Sequence, residues 1–191
     1  MRLIIPCTTA FILLAAAPRP TLAQQSAAKT AAAPSLSAYL KTDIEQVQQK
    51  IVALARAIPE DKYAWRPAAG VRSTGEVFKH VVSDNYLLPA VLGHPADPST
   101  GITTDFASAV AYEHREMGRD SVIAALQRSF AHVETALAAT PSAKLGDSVS
   151  LFGQSFTVQQ TWVLTAEHLH EHLGQLIAYA RSNGVTPPWS K

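Results

Sequence analysis

Three of the chain's seven histidines fall within five consecutive positions, His168-Leu-His-Glu-His172. On a helix, His168 and His172 stand one turn apart on a shared face, while His170 points nearly the opposite way. Such an i, i+4 pair can hold one divalent cation from a rigid scaffold, but it supplies only two ligands. A third donor must come from elsewhere. The one cysteine, Cys7, lies in an apolar N-terminal run. A chain cleaved after that run has no thiolate to offer, so any metal must be bound through nitrogen and oxygen.

The natural third ligand is His80. Ser73-Thr-Gly-Glu76 is a capping-box pattern, a serine at the N-cap with an acid three residues on. The helix it opens carries Val77, Val81, Leu88 and Leu92 on one face, and Pro89 is expected to kink or shorten its last turn. His80 and Asp84 fall on the flank of that apolar stripe. His80, His168 and His172 together would supply three neutral imidazoles and leave a coordination position open. Structural zinc sites are usually closed by four protein ligands, whereas catalytic ones keep an open position.

The competing reading makes His168 and His172 a polar helix edge and His80 a hydrogen-bonded core histidine, and the spacing leaves both readings open. Asp84, one turn after His80, has several open roles: fourth ligand, base for a metal-bound water, partner orienting an imidazole, or simple exposed charge. Gln175 is placed to hydrogen-bond behind His172. Trp65, Arg66 and Arg72 could line a substrate entrance, since arginine can hold an anionic group; Trp65 could equally plug the bundle end. His94, His114, His132 and His170 have no comparable placement and read as surface or loop residues.

Other chemistries lack their motifs. There is no glycine-rich phosphate loop, no Gly-x-Ser-x-Gly elbow and no HExxH, because Leu follows His168. Paired Glu-x-x-His motifs of di-iron bundles are missing too, since Glu167 adjoins His168 and Glu171 adjoins His172.

The elements that position these residues are helices. Leu40, Ile44, Val47, Ile51, Leu54 and Ile58 recur at three- and four-residue steps and predict an amphipathic helix from about Leu36 to Ile58. Pro59 to Tyr63 could add a helical turn, and Pro67 and Gly70 mark a loop. Gly93 to Asp105 reads as a long loop, and Phe106 to Met117 as a short helix with exposed charges Glu113, Arg115 and Glu116. Asp120 or Ser121 is expected to cap a helix to about Ala139, with Val122, Leu126, Phe130, Val133 and Leu137 as its stripe. Leu145 to Phe156 suggests a small hairpin. Thr157-Val-Gln-Gln160 is a second capping box, opening a last helix that runs to about Ser182 before Asn183-Gly184. Four substantial amphipathic helices with little strand signal imply an all-α four-helix bundle, with long connections after the second and third.

Ahead of the domain, Met1-Arg2, the apolar run to Ala17 and the small-residue site Thr21-Leu-Ala23 follow the order of a secretory signal. The expected organisation is a signal segment at 1–23, an Ala-rich linker at 24–34 and a bundle domain at 35–191, placing the protein in the periplasm or outside the cell. The apolar run is short of the ~20 residues needed to span a bilayer, so stable membrane insertion is not expected. The whole chain has 16 basic and 15 acidic residues; without Arg2 and Arg19 the basic count is 14. Nucleic-acid binding thereby loses its electrostatic support.

Trp65-Arg-Pro-Ala-Ala-Gly-Val-Arg-Ser73, Glu76-Val-Phe-Lys-His80, and His168-xxx-His172-Leu-Gly-Gln175 followed by Tyr179-Ala-Arg-Ser-Asn-Gly-Val-Thr-Pro-Pro188 resemble the DinB/YfiT-like family. The resemblance runs from about Leu36 to Pro188. It implies a four-helix bundle with long crossovers and a divalent metal, commonly zinc or nickel, on His80, His168 and His172. Characterised members of that family include thiol-dependent S-transferases and isomerases in which the metal activates a low-molecular-weight thiol. An exported chain would lack that cytoplasmic co-substrate, which ranks metal-assisted hydrolysis of a small molecule above thiol transfer. A non-catalytic metal-binding or stress-related envelope protein is the alternative, and a homodimer stays open.

Overall fold

The computed structural model describes residues 34–190. The expected signal segment and all of the linker except Pro34 lie outside the described residues, as does Cys7. Four long helices and one short one form the fold: α1 Leu36–Ala57, α2 Thr74–Val91, α3 Phe106–Glu113, α4 Arg119–Ala139 and α5 Val158–Ser182. The all-α bundle expected from the periodicity is therefore present. Among the described residues no helix is long and apolar enough to cross a membrane.

Each long helix forms for a reason visible in its sequence. α1 is capped by Ser35, whose hydroxyl accepts from the Ala38 amide, and it buries Leu40, Ile44, Val47, Ile51 and Leu54 on one stripe. α2 and α5 both begin with complete capping boxes, Ser73 with Glu76 and Thr157 with Gln160. α4 departs from expectation: it starts at Arg119, with Gly118 as an N-cap that has no side-chain bond. Glu60, from the 3-10 turn Glu60–Lys62, accepts from the Arg119 amide at 3.4 Å instead, and Asp120 sits in the first turn where the helix dipole favours an acid.

Around the bundle, α1 packs against α4 and α5, and α2 packs against the same two helices. The principal neighbours are thus not consecutive in the chain, which is why long connections are needed after α2 and after α4. The short α3 lies against α2. With α3, α4 and α5 all around it, α2 is buried on nearly every side, from Thr74 to Ala90 with few gaps. Pro89 stays inside α2, which continues to Val91.

The connection after α4 contains the hairpin, β1 Ser148–Leu151 against β2 Gln154–Thr157, antiparallel, with Leu151 opposite Gln154. Its two loop residues, Phe152 and Gly153, both have positive φ (52° and 73°), as a right-twisting two-residue turn requires. The hairpin runs directly into the N-cap of α5, and backbone bonds from Val158 to Asp147 and from Gln159 to Leu145 seat that helix. Trp162, fully buried, donates its indole N–H to Thr140 at 3.2 Å and pins the start of α5 to the end of α4. The register of the histidine-bearing helix is set there.

Candidate metal centre

His80 projects from α2, and His168 and His172 from α5, two helices packed against each other. Each histidine offers a nitrogen such that all three lie within 4.8 Å of one another. Ring centroids are 5.0 Å apart for His80–His168, 4.6 Å for His80–His172 and 4.3 Å for His168–His172, with the rings close to perpendicular. His80 and His172 are buried and His168 is half-buried.

What lies behind the rings decides which nitrogens face the centre. His80 Nδ1 is 2.6 Å from Glu113 Oε1. A carboxylate can only accept, so Nδ1 donates and Nε2 is left with its lone pair. Likewise His172 Nδ1 donates to Gln175 Oε1 at 2.8 Å. These are the outer contacts that orient metal-binding imidazoles. His168 adds an independent sign: its Nε2 is buried and makes no hydrogen bond, since the nearest acceptor, Asp84 Oδ2 at 2.8 Å, is too poorly aligned with it to form one. Buried polar nitrogens are rarely left so, and a cation is the partner that three lone pairs would satisfy. The donor set therefore fits a divalent metal.

The electrostatics agree. Burial pushes the His172 imidazole down to about 4, with the His168 ring beside it adding to the effect, so His172 is neutral at neutral pH as a ligand must be. Burial alone would raise the Glu113 carboxyl. Hydrogen bonds from His80 and Arg72 outweigh it and bring the group down to about 2.

Glu113 corrects the sequence reading, which placed it among exposed charges. It is the last residue of α3, only 4% exposed, and it accepts from Arg72 Nε at 2.7 Å and Nη2 at 3.2 Å as well as from His80. Arg115 and Glu116, just beyond it, are exposed as expected. No periodic signal marks Glu113, because its burial depends on a guanidinium 41 residues away.

The remaining candidates are placed as follows. Asp84 is 7% exposed; its Oδ2 lies 2.8 Å from His168 Nε2 and 3.5 Å from His80 Nε2. Gln175 is behind His172, and its amide nitrogen donates to Tyr179 Oη at 3.1 Å. Trp65 is half-buried, edge-on to the Tyr179 ring at 5.2 Å. Arg66 turns to Glu76 Oε1 and the Val71 carbonyl, and Arg72 turns to Glu113, so both guanidiniums are engaged within the protein. His170 is exposed and reaches Asp43 on α1 at 3.0 Å, away from the triad.

Comparison with known proteins identifies the class. The model of the DinB superfamily matches residues 43–176, and the chain belongs to that superfamily. No curated protein matches. Among solved structures, a DinB-like protein of Bacillus subtilis is similar at 20% identity and a TM-score of 0.59, with 78% of this chain and 93% of that one covered. A DinB-like protein of Bacillus cereus follows at 15% identity and a TM-score of 0.65, with the same coverages of 78% and 93%. A conserved protein of Enterococcus faecalis gives 14% and 0.64, covering 78% of this chain and 97% of that one. At these identities the likeness shows the fold.

Proposed function

We propose that this chain is an exported, divalent-metal-dependent enzyme acting on a small molecule, with His80, His168 and His172 as metal ligands. The observation that carries the reading is the orphaned, buried His168 Nε2 beside two imidazoles whose Nδ1 atoms are already committed to Glu113 and Gln175. Three nitrogens aimed at one space, two of them locked from behind, are what a preorganised metal site requires. Zinc or nickel suits an imidazole-rich set.

A metal bound there would act as a Lewis acid and lower the pKa of a bound water toward ~7. The protein's own residues supply the rest. Glu113, held by Arg72, fixes the His80 ring, and Gln175 fixes the His172 ring. The low exposure of His80, Asp84 and His172 keeps bulk water from most of the centre. Metal-assisted hydrolysis is the preferred chemistry. Thiol transfer ranks second because the N-terminal segment reads as a secretory signal, and a cytoplasmic thiol would be out of reach.

The test is metal content of the purified protein after loading with zinc or nickel. The expected result is close to one equivalent per chain, lost in His172→Ala. Uptake below ~0.3 equivalent in the wild type would sink the proposal. A cobalt-substituted form whose spectrum ignores azide and small thiols would instead favour a metal that only staples α2 to α5.

A further inference from the structure

A cavity of about 510 Å³ is lined by Tyr86 of α2, Tyr112 of α3, the turn Pro98–Thr100 and the first half of α4. It takes no residue from α5, so the histidine centre is not part of it. Its volume falls within the range of about 300–1,000 Å³ typical of small-molecule sites.

Two tyrosines with spare donors mark the cavity. Tyr86 and Tyr112 both line it and are each only 6% exposed. The phenols of Tyr63 and Tyr179 donate to the Ala55 and Arg72 carbonyls. Among the described residues, those of Tyr86 and Tyr112 bond to no protein group, although a phenol this deeply buried ordinarily has a partner. Neither oxygen is sealed off, since the one fully enclosed, unpartnered polar side-chain atom among the described residues is His168 Nε2. Both hydroxyls therefore open on the cavity.

The surrounding contacts leave one cation free beside them. The Tyr86 ring lies 5.1 Å from the His132 ring of α4. The Arg115 guanidinium stands 4.6 Å from the Tyr112 ring centroid and donates to the Thr100 carbonyl at 2.7 Å, so Arg115 is used to build the wall. Arg128 is exposed and, among the described residues, makes neither an ion pair nor a hydrogen bond. Its charge acts to lower both phenols, but burial outweighs it and raises them above 10.0, so both are protonated donors at neutral pH. Of the nearby acids, Asp97 is turned to the Ser99 amide at 2.8 Å, and Glu116 lines the cavity. Two cations against one acid leave a surplus of one positive charge.

We propose that this cavity is a binding site, separate from the metal centre, for a small monocarboxylate with an apolar body. The two carboxylate oxygens accept from the Arg128 guanidinium and from the Tyr86 and Tyr112 hydroxyls. The tyrosine rings, Met117 and Ala125 supply the apolar surface. A single surplus charge matches a monoanion better than a phosphate dianion. The proposal goes beyond the metal reading and stands whether or not the histidines hold a cation.

The experiment titrates benzoate, its neutral isostere benzamide and inorganic phosphate into the protein, followed by ligand-observed NMR and calorimetry. At ordinary ligand efficiency benzoate is expected to bind with a Kd of about 1–10 mM. Benzamide, and benzoate in Arg128→Gln, are expected to bind at least ~10-fold more weakly, the loss of a charge-assisted hydrogen bond. Tyr86→Phe and Tyr112→Phe are expected to weaken benzoate by about 3–10-fold while leaving the unfolding midpoint unchanged, because each hydroxyl bonds to nothing in the protein. His172→Ala is expected to bind benzoate as wild type does, which separates this site from a carboxylate taken up by a metal on the histidines. A Kd beyond about 30 mM, benzamide as tight as benzoate, or Arg128→Gln within about twofold of wild type would overturn the proposal. So would loss of binding in His172→Ala, or phosphate binding more tightly than benzoate. Zinc content decides the metal reading separately.

Discussion

Glu113→Gln is the most informative perturbation of the centre, because it changes one charge and almost no volume. The carboxylate accepts three hydrogen bonds: His80 Nδ1 at 2.6 Å, Arg72 Nε at 2.7 Å and Arg72 Nη2 at 3.2 Å. Glutamine keeps one accepting oxygen and presents an NH2 at the other position. If the oxygen stays with His80, the NH2 opposes the Arg72 Nε–H; if it flips, the NH2 opposes both the His80 Nδ1–H and the Arg72 Nη2–H, which share Oε1. The first orientation loses one charge-assisted bond and the second loses two, so the first is preferred and the loss is about 1.5–3 kcal/mol. The part that reaches the metal is the extra strength of the Nδ1–H···carboxylate bond once Nε2 donates to a cation. Outer-partner substitutions reduce metal affinity by about 10–100-fold, or ~1.4–2.8 kcal/mol, which is the same size. The assay is zinc competition against a chromogenic chelator, run beside thermal unfolding of the chelator-treated protein. The expected outcome is a 10–100-fold weaker site together with a lower unfolding midpoint. Affinity within twofold of wild type in a folded variant would refute the claim that Glu113 acts on the metal through His80.

Two further expectations follow from neighbouring contacts. Gln175→Leu removes the acceptor for His172 Nδ1 and should weaken zinc binding by about tenfold, the low end of the outer-partner range, because a neutral amide replaces the carboxylate seen at His80; unchanged binding would show that His172 is oriented by packing alone. At the start of α2, Ser73→Ala should destabilise the protein by about 0.5–2 kcal/mol, read by denaturant unfolding. Burial acts to raise the Glu76 carboxyl, but hydrogen bonds from the Ser73 backbone and the charge of Arg66 win and lower it below its ordinary 4.5. Its folded pKa is thus below the unfolded one, so its contribution is complete above 4.5 and is lost as pH falls further. The stability gap between wild type and Glu76→Gln should accordingly shrink in acid, and a gap constant down to about pH 3 would count against the box.

How much of this was legible in the sequence depends on which side of a helix was covered, and by what. α1, α4 and α5 each bury one stripe, so their periodicity named their core residues, Ile44, Leu126 and Leu176 among them. α2 is enclosed by three helices, and an amphipathic reading could name only part of its buried surface; Asn85, 2% exposed and bonded to Ser129 on α4, carries no helical-stripe signal. The three histidines were readable because helical spacing fixes direction within one element, and each fell at a stripe edge. The short α3 was readable as a helix, though it ends at Glu113 rather than Met117; its buried face was not readable, since eight residues hold too few turns to show a period. Glu113 is invisible for the same reason: nothing local distinguishes an acid at an exposed helix end from one buried against Arg72.

That arginine ties the two halves of the centre together. Its guanidinium holds Glu113, which holds the His80 ring on α2. Its carbonyl accepts from Tyr179 Oη at 3.2 Å; Tyr179 accepts from Gln175, and Gln175 holds the His172 ring on α5. One loop residue thus lies behind both imidazoles, by its side chain toward one helix and by its backbone toward the other. The loop is fixed where it matters, because Ser73, the next residue, is the N-cap of α2 and its amide is held by Glu76. A movement of α5 against α2 would have to break one of these two chains. The spacing of His80 from His172 is therefore set by hydrogen bonds as well as by packing, and the two helices can hold a metal-sized gap between them without the metal's own bonds to define it.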